Sequence, residues 1–152
     1  MDNCKVGRDT NCNMNIRRLY GYESSVFGFE KSVSKNFCSF SGNYMILSLN
    51  LINVQTPLQK MLKPRYSDIL INRSFIDWDT IVYKIPKSYK FETLPAGMNI
   101  NSAFGSYTTT VRDKGNEIVY IRNLVIKAGR YKPSEYKSLY DFLLSVSKAA
   151  NA

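Results

Sequence analysis

From about Tyr66 to Lys127 the chain reads as a ladder of short alternating stretches, and from Ser134 to Ala150 it changes to one helical stripe. No other feature limits the fold so tightly. A period of two belongs to strands with one wet and one dry face, and turn residues between such strands favour antiparallel pairing. Ile69, Ile71 and Phe75 fall on one side, with Leu70, Asn72 and Ser74 on the other. Ile81, Tyr83 and Ile85 alternate with Thr80, Val82 and Lys84, and Pro86 stops that strand. Tyr89, Phe91 and Thr93 make a short piece closed by Pro95 and Gly97. Met98, Ile100, Ser102 and Phe104 alternate with polar or small residues, and Gly105 permits a bend or bulge.

Tyr107, Thr109 and Val111 then oppose Thr108, Thr110 and Arg112. Asp113-Lys114-Gly115-Asn116 has the chemistry of a hairpin loop, with glycine where φ turns positive. The returning run, Glu117 to Lys127, is apolar on both faces, which predicts a central strand, bulged at Arg122-Asn123. Upstream, Tyr44 to Ile52 is a continuous apolar-rich run of strand length, as expected of a strand buried on both faces. Residues 55–66, with Pro57 and Pro64, read as a connection.

The end of the chain differs in kind. Pro133-Ser134 is a helix start, with Ser134 as N-cap and Glu135 in the first turn. Tyr136, Leu139, Tyr140, Leu143 and Val146 recur at helical spacing, while Lys137, Ser138, Asp141, Ser145 and Lys148 take the other side. Many short strands and one terminal helix predict a mainly β fold, an antiparallel β-sandwich with one C-terminal amphipathic helix packed on it.

The 152 residues suit one domain, and 44% hydrophobic against 22% charged residues is ordinary globular composition. Residues 1–19 are polar, Asn-rich and without period; residues 20–40 are apolar in part but equally aperiodic. We therefore expect residues 1–40 to be a poorly ordered or irregular N-terminal segment and 41–152 to be the sandwich domain.

The net charge of +9 is uneven. Residues 57–132 carry thirteen Lys/Arg against six Asp/Glu, whereas residues 1–40 carry six against four. The excess is spread as single residues, Lys84, Lys87, Lys90, Arg112, Arg122, Lys127, Arg130 and Lys132, which reads first as a basic soluble surface. A polyanion-facing patch is the alternative. Basic residues interleaved with tyrosines over 120–132 could stack bases, yet a half-exposed strand has the same pattern.

Chemistry is sparse. The chain has no histidine, so neither a Ser-His-Asp nor a Cys-His-Asp triad can form within it. Cys4, Cys12 and Cys38 have no C-x-x-C spacing and make neither a disulfide framework nor a zinc site. Cys38, between aromatic residues in Asn36-Phe37-Cys38-Ser39-Phe40, reads as a small buried side chain. Asp77 and Asp79 would share a strand face, the spacing of an imaginable glycosidase pair, but around Trp78 they read as turn formers. They also offer too few oxygens for calcium. No phosphate-binding glycine motif occurs. No catalytic, cofactor-binding or metal-binding residue is assigned, and no cofactor is expected. There is no apolar run of membrane-spanning length and no signal-like h-region near Met1, so these residues alone point to the cytoplasm.

Ordered motifs along the chain carry a family resemblance. They are Ser41-Gly42-Asn43-Tyr44, Leu49-Asn50-Leu51-Ile52-Asn53, Ser67-Asp68-Ile69, Phe75-Ile76-Asp77-Trp78-Asp79-Thr80-Ile81-Val82-Tyr83 and Ile85-Pro86-Lys87-Ser88-Tyr89-Lys90. Further on come Glu92-Thr93-Leu94-Pro95, Phe104-Gly105-Ser106-Tyr107, Ala128-Gly129-Arg130-Tyr131, Pro133-Ser134-Glu135-Tyr136 and Tyr140-Asp141-Phe142. Over about residues 36–150 the chain resembles the C-terminal β domain of unknown function in large bacterial transglutaminase-like proteins. The resemblance implies a sandwich with a closing helix, in a normally exported protein whose papain-like core precedes that domain. The core's catalytic residues have no matching positions here, and residues 1–35 look like a shortened linker remnant. It therefore implies a non-catalytic accessory module, truncated or split off, with a transglutaminase-like core as a partner.

Overall fold

The computed structural model describes residues 14–22, 26–34, 38–41, 44–50, 53, 58, 64–84 and 92–151, with side chains described from Tyr44 onward. Cys4, Cys12, Ile52, Pro57, Ile85, Lys87, Tyr89, Lys90 and Phe91 lie outside the described residues, as does the side chain of Cys38.

Among the described residues ten strands and one helix follow in chain order. The strands are β1 (Met14–Tyr22), β2 (Val26–Ser34), β3 (Cys38–Ser41), β4 (Tyr44–Leu47), β5 (Ile69–Ile71), β6 (Phe75–Lys84), β7 (Asn99–Ser102), β8 (Gly105–Asp113), β9 (Glu117–Ile126) and β10 (Gly129–Tyr131). A 3-10 turn, Pro133–Glu135, leads into α1 (Tyr136–Ala150). Six strands form one sheet in the order β2-β1-β6-β9-β8-β7; β3 pairs with β4, and β5 with β10. Every pairing is antiparallel. The protein is a mainly β, antiparallel sandwich with one C-terminal helix packed on it.

Alternation explains the inner face of the large sheet. In β6 the odd positions Asp79, Ile81 and Tyr83 are buried; in β9 the even positions Ile118 to Ile126 are. The register sets Tyr83 opposite Ile118, Ile81 opposite Tyr120, and Asp79 opposite Arg122. β9 is central, as its two apolar faces predict, with β6 on one side and β8 on the other. It carries no bulge: the pairing runs unbroken through Asp79–Arg122 and Trp78–Asn123.

Among the described residues two apolar clusters lie on this face. One joins Ile69, Phe104, Tyr107, Leu124 and Ile126 to Leu139, Phe142, Val146 and Ala150 of α1. The other gathers Ile81, Tyr83, Ile118 and Tyr120, with Met45, Leu47 and Leu49 packed against it. Among the described residues the second layer comprises α1 with β5–β10 at one end and β4 at the other.

Turn chemistry fixes the hairpins. Gly115 has φ +79° between β8 and β9, and its N–H donates to Asp113 Oδ1 at 2.6 Å. β7 and β8 turn through Ala103-Phe104, one residue before the expected bend. Gly105 is needed there because a Cβ would lie 1.9 Å from the Val125 carbonyl oxygen. Phe104 swings inward and meets Tyr131 edge to face at 4.7 Å.

Several expectations are corrected. Residues 14–22 and 26–34, expected to be irregular, form the paired strands β1 and β2, added to the large sheet beside β6. Side-chain periodicity could not announce them, since what holds them is backbone pairing to a strand about sixty residues away. Of the Tyr44–Ile52 run, Tyr44–Leu47 is strand and residues 48–50 are not; Tyr44 and Ile46 are exposed, because β4 is covered on one face alone. Asp77-Trp78-Asp79 is no turn but the middle of β6. The helix starts differently too: Lys132, not Ser134, precedes the first turn, and its N–H donates to Glu135 Oε2 at 2.7 Å. The polar side of α1 is exposed as predicted, while Phe142 joins the buried stripe.

Candidate functional site

Between the two apolar clusters the inner face carries charge. Asp77 and Asp79 stand two residues apart on β6, so the pleat puts both on one side. Arg122 lies opposite Asp79 across the β6–β9 ladder. Its Nη1 donates to Asp79 Oδ2 at 3.0 Å and its Nη2 to Asp77 Oδ2 at 2.8 Å. Arg122 is 1% exposed and Asp79 not at all, while the Asp77 side chain keeps 30%.

Asn53 closes this seam from the other layer, its Nδ2 donating to Asp79 Oδ2 at 2.6 Å. The guanidinium carbon sits 5.9 Å from the centre of the Tyr107 ring, within cation–π reach. Burial works to lower the Arg122 pKa. The hydrogen bond to Asp77 and the charges of Asp77, Tyr107 and Asp79 outweigh it, so the value stands above the usual one and the group stays cationic.

Leu49, Asn50 and Asn53 are each pinned by a hydrogen bond. Tyr83 donates its hydroxyl to the Leu49 carbonyl at 2.6 Å. Asn50, itself buried, donates to the carbonyl of Ala150 at the end of α1, also at 2.6 Å. Asn53 makes the bond to Asp79. Together these residues tie the helix end to the charged seam, although 100 residues separate Asn50 from Ala150. Burial, with the Asp79 charge adding to it, holds the Tyr83 phenol far above the ordinary tyrosine range. Tyr120 is raised in the same way, burial first and the neighbouring Tyr107 second.

Chemically the seam is closed. Both carboxylates are engaged by one guanidinium, and that guanidinium has no path to solvent. Such an arrangement suits a role in register and packing. Sequence reading placed the two aspartates on one face but missed their partner, because Arg122 was counted with the basic surface. The signal lay in β9 itself: a cation at an even position among apolar even positions must find a counter-charge.

Of the remaining basic residues, Lys84, Arg112, Lys127, Arg130 and Lys132 are exposed. A shallow surface depression is lined by Pro64, Arg65, Tyr66, Ser67 and Tyr136, and Arg65 lies 5.8 Å over the Tyr136 ring. Among the described residues no three His, Cys, Asp or Glu side chains converge to hold a metal ion. No helix among them is long and apolar enough to cross a membrane.

Fold and seam together define a small antiparallel sandwich module with a helical lid and a charged layer locked in its core. Residues 42–152 match the family described as Domain of Unknown Function with solved-structure structure (DUF3858), and the chain belongs to it. The match leaves β1 and β2 outside. No curated protein and no solved structure matches the chain.

Proposed function

We propose that the chain is a non-catalytic accessory module that acts by interaction or scaffolding, with a transglutaminase-like core as its partner. The observation that carries this reading is the fate of Asp77 and Asp79. The inner-face pair that could have served as acid and base is bound to Arg122 inside the core. The lack of histidine within the chain supports it further, and the ordered motifs from Ser41 to Phe142 support the choice of partner and an exported bacterial setting.

Two measurements test the proposal. An amine-incorporation assay with the purified chain is expected to give no turnover; thiol-dependent turnover lost in Cys38→Ala would overturn it. Calorimetric titration with a purified transglutaminase-like core encoded beside the chain is expected to give saturable binding.

The second reading is a binder of acidic polymers, favoured by the meeting of Arg65, Tyr66 and Tyr136 on one surface depression. Arg122 no longer counts towards it. This reading predicts binding to dextran sulfate that weakens steeply as salt rises from 50 to 200 mM, as counterion release requires on the order of 10³–10⁵ for six to ten contacts. A flat salt response would remove it.

A further inference from the structure

Ten-residue β6 has a neighbour on each side, β9 and β1. The two neighbours differ in origin. β9 lies within the family-matched residues, whereas β1 and β2 lie upstream of residue 42. The family part of the large sheet is therefore β6-β9-β8-β7, with β6 as its margin. A long margin strand leaves a row of backbone N–H and C=O groups that must find partners. Here β1 supplies them in an antiparallel register that runs from Asn15 opposite Lys84 to Tyr22 opposite Asp77. Among the described residues β2 pairs with β1 alone, so the hairpin is joined to the remaining sheet through this single seam.

We propose that the β6 margin is a strand-acceptor site whose resident occupant, the β1–β2 hairpin, is exchangeable, and that a second copy of this chain seats its hairpin there. A second copy is the occupant that fits, because an exchanged hairpin repeats the pairing already present and needs no new complementarity. The acceptor is selective for extended backbone in antiparallel register, the chemistry of strand addition. This inference stands apart from the reading of accessory function and does not depend on it.

The test uses the full chain. Leu19 and Thr80 are direct cross-strand partners. The variant Leu19→Cys/Thr80→Cys, with Cys4, Cys12 and Cys38 each changed to Ser, is refolded as a mixture of isotopically heavy and light copies, then oxidised. The expected result is a species of doubled mass by light scattering, in which disulfide-linked peptides join heavy to light chains. That share rises with protein concentration during refolding.

A monomeric mass at every concentration with intrachain links only would overturn the proposal. So would a dimer whose links are all intrachain, since it would use another face. Should the double-cysteine variant not fold, the wild-type chain refolded at low and high concentration decides. A dimer that returns slowly to monomer on dilution supports exchange, and a constant monomer overturns it.

Discussion

The two ends of the inner face are built by different rules. Around α1, apolar side chains from β5, β8, β9 and the helix pack together, and charge reaches them at one margin, where the Arg122 guanidinium lies over the Tyr107 ring. Towards β4 the apolar cluster is bounded by Asp77, Asp79 and Arg122, and above it lie the short strand β4 and the hydrogen-bonded Leu49 and Asn53. The first end is held by non-directional burial, which tolerates changes of similar volume. The second is held by geometry, since each polar atom there has few acceptable partners. One end supplies stability, and the other decides which strands face each other.

The sharpest way to break this comparison is at Arg122. Truncation by Arg122→Ala leaves the buried Asp79 without its guanidinium partner, and should cost about 3–5 kcal/mol. The measurement is urea unfolding followed by circular dichroism. Replacing all three members, as in Arg122→Met/Asp77→Leu/Asp79→Leu, should recover most of that loss. If the triple variant is as unstable as the single one, the seam contributes stability as well as register and the contrast drawn above is wrong.

At the other end, Leu139→Ala removes a buried side chain from the helix face and should cost about 2–3 kcal/mol, the low side of the usual range because a helix can settle onto its sheet. Leu139→Met, which keeps the volume, should cost under about 1.5 kcal/mol. The seam should show no such tolerance: Arg122→Lys keeps the charge but cannot span two carboxylates with a planar fork. A Leu139→Met loss as large as that of Leu139→Ala would show that the helix end is also held by specific shape.

The comparison also separates what could be read from the sequence from what could not. The helix end was legible because its signal is local: Leu139 and Val146 recur within one amphipathic stripe, and Gly115 marks its own turn. β9 was legible as a central strand because both its faces are apolar. The seam was half legible. Asp77 and Asp79 share a face by strand spacing, yet their partner lies 43 to 45 residues away, and a lone arginine on a basic chain looks like surface. The β1–β2 hairpin was not legible, since its place is set by backbone pairing with β6. Asn50 and Asn53 carry no local signal of their bonds to Ala150 and Asp79, which exist only once the layers have closed.

Tyr83 gives the smallest effect and joins the two kinds of packing in one residue. Its ring belongs to the apolar cluster, while its hydroxyl donates to the Leu49 carbonyl and holds it in place. Tyr83→Phe keeps the ring and should cost about 0.5–1.5 kcal/mol at neutral pH, the worth of one hydrogen bond. The phenol is held above its ordinary value in the folded protein, so the folded state keeps its proton where the unfolded chain releases it. The unfolded state then binds fewer protons, and stability falls as pH rises past the ordinary tyrosine value of about 10. Tyr120, raised for the same reason, acts in the same direction. The urea midpoint of the wild type should therefore be flat up to about pH 9.5 and then decline, with Tyr83→Phe declining less steeply because one of the two groups is gone. Equal alkaline slopes for both proteins would mean that the Tyr83 hydroxyl is open to solvent and base. Leu49 would then have to be held through Asn50 and Asn53.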